Sequence, residues 1–230
     1  MKKLKKLLIT ITLILLVIFV ALNVYSMNYY EADESAIDLL EKDYIEEIDG
    51  YVELNPEEKS DIGIIFYPGG KVEHYAYLPI MNKLREKGVN SFLVKMPFKL
   101  AIFNKNAADN IIKNNPNISE WYIIGHSLGG AMGSSYANEN SKEIKGLFLL
   151  GAYNYGEYDK EKTLIFYGTE DEILDKSKIK KAEVVGIIDG GNHAYFGNYG
   201  KQKGDGEAII SQDEQQNIVV TKIMEFINKN

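Results

Sequence analysis

The hydrophobic positions of the chain fall into two patterns, and the first is a nearly continuous apolar run close to the amino terminus. It extends from Leu7 to Leu22, and in a weaker form to Tyr25, which makes 19 residues. The run has no polar face, so it is not explained as the core helix of a globular protein. A spanning helix needs about 20 apolar residues, whereas a secretory signal has about 7 to 15. The length favours a retained membrane helix, and a signal cleaved after Ser26 is the alternative.

The second pattern begins near residue 44, where short apolar segments alternate with stretches of helical periodicity. The predicted strands are Ile45–Ile48, Tyr51–Leu54, Ile62–Tyr67, Ser91–Lys95, Trp121–Ile124, Gly146–Leu150, Thr163–Tyr167 and Val184–Ile188. The predicted helices cover residues 77–87, 104–113, 128–138 and 212–228. Such alternation is typical of an α/β protein with a mostly parallel, doubly wound sheet. Asp49-Gly50 separates the first two strands and predicts a hairpin turn with positive φ at both residues.

These patterns divide the chain into three parts. Residues 1–27 form a membrane anchor or signal, residues 28–43 an acidic spacer, and residues 44–230 one α/β domain. A length of 230 residues does not accommodate two large domains.

Charge adds an orientation to this division. The net charge is −7, but four lysines (Lys2, Lys3, Lys5 and Lys6) precede the apolar run. Without them 22 basic and 33 acidic residues leave −11, which argues against nucleic acid as a partner. Basic residues before a membrane helix stay in the cytoplasm. The domain is therefore predicted to lie outside the cell, on a single-pass anchor or, after cleavage, secreted.

Candidate chemistry is concentrated where predicted strands end. Gly125-His126-Ser127-Leu128-Gly129 follows one strand and precedes a helix rich in small residues. In this nucleophile-elbow pattern the turn is so tight that Ser127 has a strained backbone, and glycine two positions before and after it avoids a clash. Ser127 is thus the candidate nucleophile, and the absence of cysteine excludes a thiol in its place. A glycine-rich turn without catalytic function is the alternative.

Partners for Ser127 follow later in the chain. Asp171 and His193 come directly after two further strands, in the order Ser, Asp, His that accompanies such an elbow. A serine hydroxyl needs an imidazole to accept its proton, and that imidazole needs a carboxylate to orient it. Asp175 is the next candidate for the carboxylate, and His126 is predicted to pack beside the turn without transferring protons.

Acyl transfer also needs donors for a developing oxyanion. The amide of Leu128 begins the helix after the elbow, and Pro68-Gly69-Gly70 follows an earlier strand. We expect Leu128 and Gly70 to supply these donors, with Gly69 and Lys71 as alternatives to Gly70.

These motifs together resemble the α/β-hydrolase family across about residues 62–228. The glycine-rich tail around residues 196–206 is similar to the compact branch related to dienelactone hydrolases. Those relatives use cysteine as the nucleophile, so their substrate is not implied for Ser127. The resemblance implies an α/β-hydrolase fold behind one transmembrane helix.

The substrate prediction depends on one short connection. Only residues 151–162 lie between two predicted strands where many members of the family insert a lid. This favours short acyl esters or esters displayed on a surface. Tyr153, Tyr155 and Tyr158 are either substrate walls or packing residues.

The sequence therefore predicts an extracytoplasmic serine esterase without metal or cofactor. Asp205 and Glu207 indicate a solvated turn in preference to a calcium site. The alternatives are a peptidase or thioesterase with the same triad, or a non-catalytic surface protein. The oligomeric state is not predicted.

Overall fold

A computed structural model describes residues 2–179 and 184–229 of the protein. The helices are α1 (Lys2–Met27), α2 (Glu34–Ile37), α3 (Leu78–Glu86), α4 (Ala108–Asn114), α5 (Leu128–Glu139) and α6 (Gln212–Ile227). The strands are β1 (Ile45–Ile48), β2 (Tyr51–Leu54), β3 (Ile62–Tyr67), β4 (Asn90–Val94), β5 (Glu120–His126), β6 (Ile144–Leu150), β7 (Thr163–Gly168) and β8 (Val184–Ile188). Short 3₁₀ turns lie at His74–Tyr77, Pro97–Lys99, Ala101–Phe103 and Ala194–Phe196, among others.

The eight strands form one sheet in the order β1-β2-β4-β3-β5-β6-β7-β8. The first two pair as an antiparallel hairpin, and β2 also runs antiparallel to β4. All later pairs are parallel. The mostly parallel sheet predicted from the sequence is confirmed, and the carboxyl ends of its parallel strands face one edge.

Alternate residues of the central strands enter two separate cores, which explains their near-continuous apolar sequences. In β3, Ile64 and Phe66 face one core while Ile65 and Tyr67 face the other. The first core also contains buried residues of α3 and α6, and the second contains residues of α4 and α5. Because both faces of the sheet are covered by helices, the doubly wound arrangement is confirmed.

Local signals in the sequence were right at α6 and wrong at the first hairpin. Ser211 Oγ accepts a hydrogen bond of 3.1 Å from the amide of Glu214, which is the predicted helix cap. In the hairpin only Gly50 has a positive φ, of 92°, and Asp49 does not. The turn with two left-handed residues is therefore not formed, because one glycine is sufficient to close this hairpin.

The amino-terminal segment contains the most apolar surface of the protein. Helix α1 has a mean hydropathy of 3.0 in its most apolar window and no buried residues, and it is long enough to cross a membrane. The residues after it pack on the domain: Tyr30 forms a parallel bridge with Val72, and the amide of Asp33 donates to the carbonyl of Asn198 at 2.9 Å.

Candidate active site

The turn between β5 and α5 has the backbone of a nucleophile elbow. Ser127 has φ 51° and ψ −120°, in a region that residues other than glycine rarely adopt. Its amide donates to the carbonyl of Leu150 at 3.0 Å, which ties the turn to the neighbouring strand. The strained conformation raises the serine side chain above the end of the sheet, where it is half-buried.

Two glycines make this turn sterically possible. A Cβ on Gly125 would lie 2.6 Å from the Cα of Gly130. A Cβ on Gly129 would collide with the carbonyl oxygens of Tyr67 and Pro68. Helix α5 therefore begins in direct contact with β3 and β5, and the requirement for glycine on both sides of Ser127 is met.

The loops after β7 and β8 place Asp171 and His193 together. Oδ2 of Asp171 lies 2.9 Å from Nδ1 of His193, and both side chains are buried. The other carboxylate oxygen, Oδ1, accepts the amides of Ile173 at 2.9 Å and Leu174 at 2.8 Å. Burial alone would raise the pKa of Asp171, but the His193 contact and the two amides lower the pKa below its ordinary value. Asp171 is therefore a fixed carboxylate.

His193 and Ser127 line the same open cavity of about 330 Å³. Within the described part of the chain, Nε2 of His193 is buried and has no hydrogen-bond partner, and Ser127 Oγ forms no hydrogen bond with it. Catalytic hydrogen bonds of this kind commonly tighten only when substrate binds. Asp175 and Lys178 also line the cavity, but Asp175 Oδ1 accepts from the Ser177 hydroxyl at 2.6 Å and is not bonded to His193.

Of the three amides in residues 69–71, two already have acceptors. The Gly69 amide donates to the Tyr77 hydroxyl at 3.1 Å, and the Lys71 amide donates to the carbonyl of Lys99 at 2.8 Å. The Gly70 amide has no acceptor among residues 2–179 and 184–229. Leu128 is the first residue of α5, so its amide also lacks a partner within the helix. The side chain of Leu128 lies 3.0 Å from the position of a Cβ on Gly70.

A buried pair that the sequence did not identify supports the Gly69-Gly70 loop from below. The hydroxyl of fully buried Tyr77 accepts from Gly69 and lies 2.7 Å from Nδ1 of His126. Burial, with a further contribution from the nearby His193, lowers the pKa of His126 well below its ordinary value. His126 is therefore neutral. Because the Tyr77 oxygen accepts from Gly69, its O–H remains to donate a hydrogen bond to Nδ1 of His126. Gly69 and Tyr77 lie about fifty residues before His126 in the sequence, so no local pattern reveals the contact.

Other side chains that sequence reasoning missed hold the His193 loop. The buried Gln215 of α6 bonds both backbone groups of Asn192, accepting from its amide at 3.0 Å and donating to its carbonyl at 2.8 Å. Asp205 accepts the amide of Ala194 at 2.8 Å. Gly151, at φ 51°, lies beneath the ring, since a Cβ there would be 2.6 Å from Nδ1 of His193. The positive φ of Gly151 was not predictable from its neighbours.

The connection between β6 and β7 is pinned to the domain and does not form a lid. Asn154 Oδ1 accepts from the buried Ser134 hydroxyl of α5 at 2.7 Å. The three tyrosines of this connection have different environments. Tyr153 lines the cavity, Tyr155 is exposed, and Tyr158 is buried with its hydroxyl bonded to the carbonyl of Ile144 at 2.7 Å.

Metal chemistry has no candidate site in the described ranges. No group of three or more His, Asp or Glu side chains there is arranged to hold a metal ion. Asp205 is the residue that the sequence placed in a solvated turn. Its carboxylate accepts hydrogen bonds from backbone amides, those of Ala194 and Gly206 included.

The sheet order, the strained elbow and the loops after β7 and β8 define an α/β hydrolase. Residues 63–217 match the alpha/beta hydrolase family, which is about two thirds of the chain, and the protein belongs to that family. No curated protein sequence matches the chain.

Solved structures give the same fold at low sequence identity. Est1E from Butyrivibrio proteoclasticus with bound ferulic acid is 16% identical, with a TM-score of 0.57 over 80% of this chain and 99% of its own. An α/β serine hydrolase without a lid from Xanthomonas campestris is 12% identical, with a TM-score of 0.56 over 80% and 93%. Dienelactone hydrolase from Anabaena variabilis is 12% identical, with a TM-score of 0.54 over 78% and 90%. The predicted resemblance to this family is confirmed.

Proposed function

We propose that this hydrolase is a serine esterase that works through an acyl-enzyme on Ser127. The observation that carries the proposal is the buried Asp171–His193 pair: His193 lines the same cavity as Ser127, and its Nε2 has no hydrogen-bond partner among the described residues. In the proposed reaction His193 takes the hydroxyl proton as Ser127 attacks the ester carbonyl. His193 then returns the proton to the leaving alcohol, and water hydrolyses the acyl-enzyme by the same route.

Charge is stabilised at two places in this mechanism. The amides of Leu128 and Gly70 donate to the oxyanion of the tetrahedral intermediate, beside the amino-terminal end of α5. Asp171 holds His193 at Nδ1, which leaves Nε2 free for proton transfer, and stabilises the imidazolium that forms. No step requires a metal or an organic cofactor.

An ester substrate with a modest acyl group fits the cavity best. Its volume of about 330 Å³ lies at the lower end of the range for small-molecule sites, about 300 to 1,000 Å³. The walls are largely apolar, and an ester whose alcohol part extends into solvent fits an open mouth. The name of one structural neighbour, a monoglyceride lipase from Saccharomyces cerevisiae, is consistent with this class.

The protein acts outside the cytoplasm in this proposal, held by a retained α1. Four lysines precede the apolar run, and acidic residues follow it, which favours a cytoplasmic amino terminus. Protease added to intact cells should digest the catalytic domain. A domain that is protected until the cells are lysed would contradict the orientation.

The experiment for the reaction is a serine replacement with a matched control. Ser127→Ala should abolish hydrolysis of p-nitrophenyl acetate and butyrate, and also labelling by a fluorophosphonate probe. Ser119→Ala removes a surface hydroxyl whose partner is Asp61, and it should leave both unchanged. Equal activity in the two variants would refute the assignment, and labelling without ester turnover would indicate an amide or thioester substrate.

A further inference from the structure

The surface between α1 and the active site carries exposed apolar side chains that the proposed reaction does not explain. Ile102 is 52% exposed and Phe103 is 43% exposed, in the segment 97–103 that follows β4. The ring of Phe98 lies 5.4 Å from that of Phe103. We call Phe98, Ile102 and Phe103 the apolar edge.

The apolar edge is continuous with the membrane helix. The Phe98 ring lies 6.1 Å from the ring of Phe19 in an edge-to-face arrangement. Phe19 precedes Tyr25, the end of the apolar run, by six residues, which is about 9 Å along a helix. If α1 spans a bilayer, Phe98 therefore lies level with the acyl chains of the outer leaflet, at the depth of about 5 to 10 Å that interfacial segments reach.

Charged and aromatic groups occur where the headgroups would lie. Lys71 Nζ is 4.3 Å from the centre of the Tyr25 ring, and Lys99 Nζ is 3.6 Å from that of Tyr29. Tyrosine and lysine at the end of a spanning helix are typical of the membrane interface. Phe98 and Lys99 in segment 97–103 have positive φ, of 52° and 55°, and Lys71 in the loop after β3 has φ 59°, so both loops beside the helix have a costly backbone.

The same loop forms a wall of the proposed oxyanion site. Leu100, between Phe98 and Ile102, is buried, and its side chain lies 3.7 Å from the position of a Cβ on Gly70. Leu128 contacts that position from the other side. Leu100, from the segment of the apolar edge, and Leu128, which lines the cavity of Ser127, therefore meet at Gly70.

We propose that the apolar edge enters the outer leaflet of the membrane and that the enzyme takes single-chain acyl esters carried in the lipid layer. This rests on the proposed esterase function and on a retained α1. The cavity walls contributed by Leu128, Ala131, Ala152 and Leu174 are apolar and suit an acyl chain that leaves the bilayer beside Leu100. The occupant of the edge is the lipid itself, so no protein partner is needed.

The first test measures membrane entry without any activity assay. Two full-length variants, Phe103→Trp and Ile209→Trp, are each placed in phosphatidylcholine vesicles that contain brominated lipid, which quenches the fluorescence of a tryptophan in the bilayer. Ile209 is 80% exposed and follows β8, at the far edge of the sheet, five strand spacings or about 24 Å from β4. The native Trp121 is buried and gives a constant background. We expect fluorescence quenching above the Trp121 background for Phe103→Trp and not for Ile209→Trp. Equal quenching of the two variants would overturn the inference.

The second test compares two esters in the same preparation. The double variant Ile102→Ser with Phe103→Ser should lose roughly five- to tenfold of its rate on monodecanoyl glycerol held in vesicles, an ester whose acyl chain is modest enough for the cavity. The loss is expected because the variant gives up apolar area that the lipid would cover. Its rate on soluble p-nitrophenyl acetate should stay within about twofold of wild type. Ile187→Ser with Ile209→Ser is the matched control and should keep both rates.

The two proposals fail in different ways. Wild type that hydrolyses neither ester contradicts the esterase assignment, while the quenching result still decides membrane entry. The other outcome is that all variants hydrolyse the soluble ester and the Ile102→Ser, Phe103→Ser protein hydrolyses the ester in vesicles as fast as wild type. That result contradicts the membrane inference alone.

Discussion

Removing one hydroxyl by Tyr77→Phe tests whether the buried contact beneath the Gly69-Gly70 loop supports both stability and catalysis. The Tyr77 hydroxyl pairs with the Gly69 amide at 3.1 Å and with Nδ1 of His126 at 2.7 Å, and all three groups are buried. Phenylalanine fills the same space but leaves two polar groups unpaired, at about 1 to 3 kcal/mol each. We expect the free energy of unfolding to fall by about 2 to 6 kcal/mol.

Two measurements follow from this substitution. Urea denaturation gives the free energy of unfolding, and the melting temperature should fall by roughly 4 to 24 °C for a domain of this size. The kcat on p-nitrophenyl acetate should fall about tenfold, since a complete oxyanion donor is worth about 10²- to 10³-fold and here the Gly70 amide is displaced but not removed.

Tyr75→Phe is the matched control in the same turn. Its hydroxyl bonds the Glu47 carboxylate at 2.6 Å on the surface, where such contacts contribute about 1 kcal/mol or less. A Tyr77→Phe protein as stable and as active as Tyr75→Phe would refute the reasoning that this buried hydroxyl holds the loop.

Three further predictions address the acid, the buried histidine and the elbow. Asp171→Asn should lower kcat by about 10³- to 10⁴-fold, because the amide cannot satisfy both His193 and the two backbone donors. Asp175→Asn should change kcat little. A larger loss for Asp175→Asn than for Asp171→Asn in ester kinetics would exchange the two assignments. Folded His126 stays neutral while the unfolded chain takes up a proton near pH 6.5, so the free energy of unfolding should decline as pH falls below that value, by about 1.4 kcal/mol per pH unit. Denaturation of His126→Gln across pH 5 to 7 should show a shallower decline, and identical slopes would contradict the buried neutral state. Gly129→Ala should give no soluble folded protein, because its Cβ collides with two carbonyl oxygens. The control Gly200→Ala, with φ 75° and open space around it, should lower the free energy of unfolding by about 1 to 2 kcal/mol. A Gly129→Ala protein that is well folded by circular dichroism would contradict the elbow geometry.

The elements that the sequence predicted well are those whose signal is local. The eight strands and the cap of α6 follow from short apolar runs and from a serine three residues before a glutamate. Helix α4 was predicted to begin four residues too early, because residues 104–107 form the turn that leads into it. Helix ends depend on contacts that composition does not contain.

The candidate site was predicted as a set of residues and not as an arrangement. The pattern around Ser127 is local, because a tight turn needs glycine at Gly125 and Gly129 whatever surrounds it. The choice of Asp171 over Asp175, and of the Gly70 amide as the one without an acceptor, rests on which atoms meet after the strands pair.

The sequence by itself determined an apolar amino-terminal helix, an alternating α/β order and a serine elbow with acid and histidine to follow. These depend on periodicity and on residues within a few positions of one another. Only the tertiary structure decided that Tyr77 and His126 support the Gly69-Gly70 loop, that Gln215 holds the His193 loop, and that segment 97–103 contacts α1. The physical reason is that these contacts join residues tens of positions apart, and sheet register and helix packing bring them together.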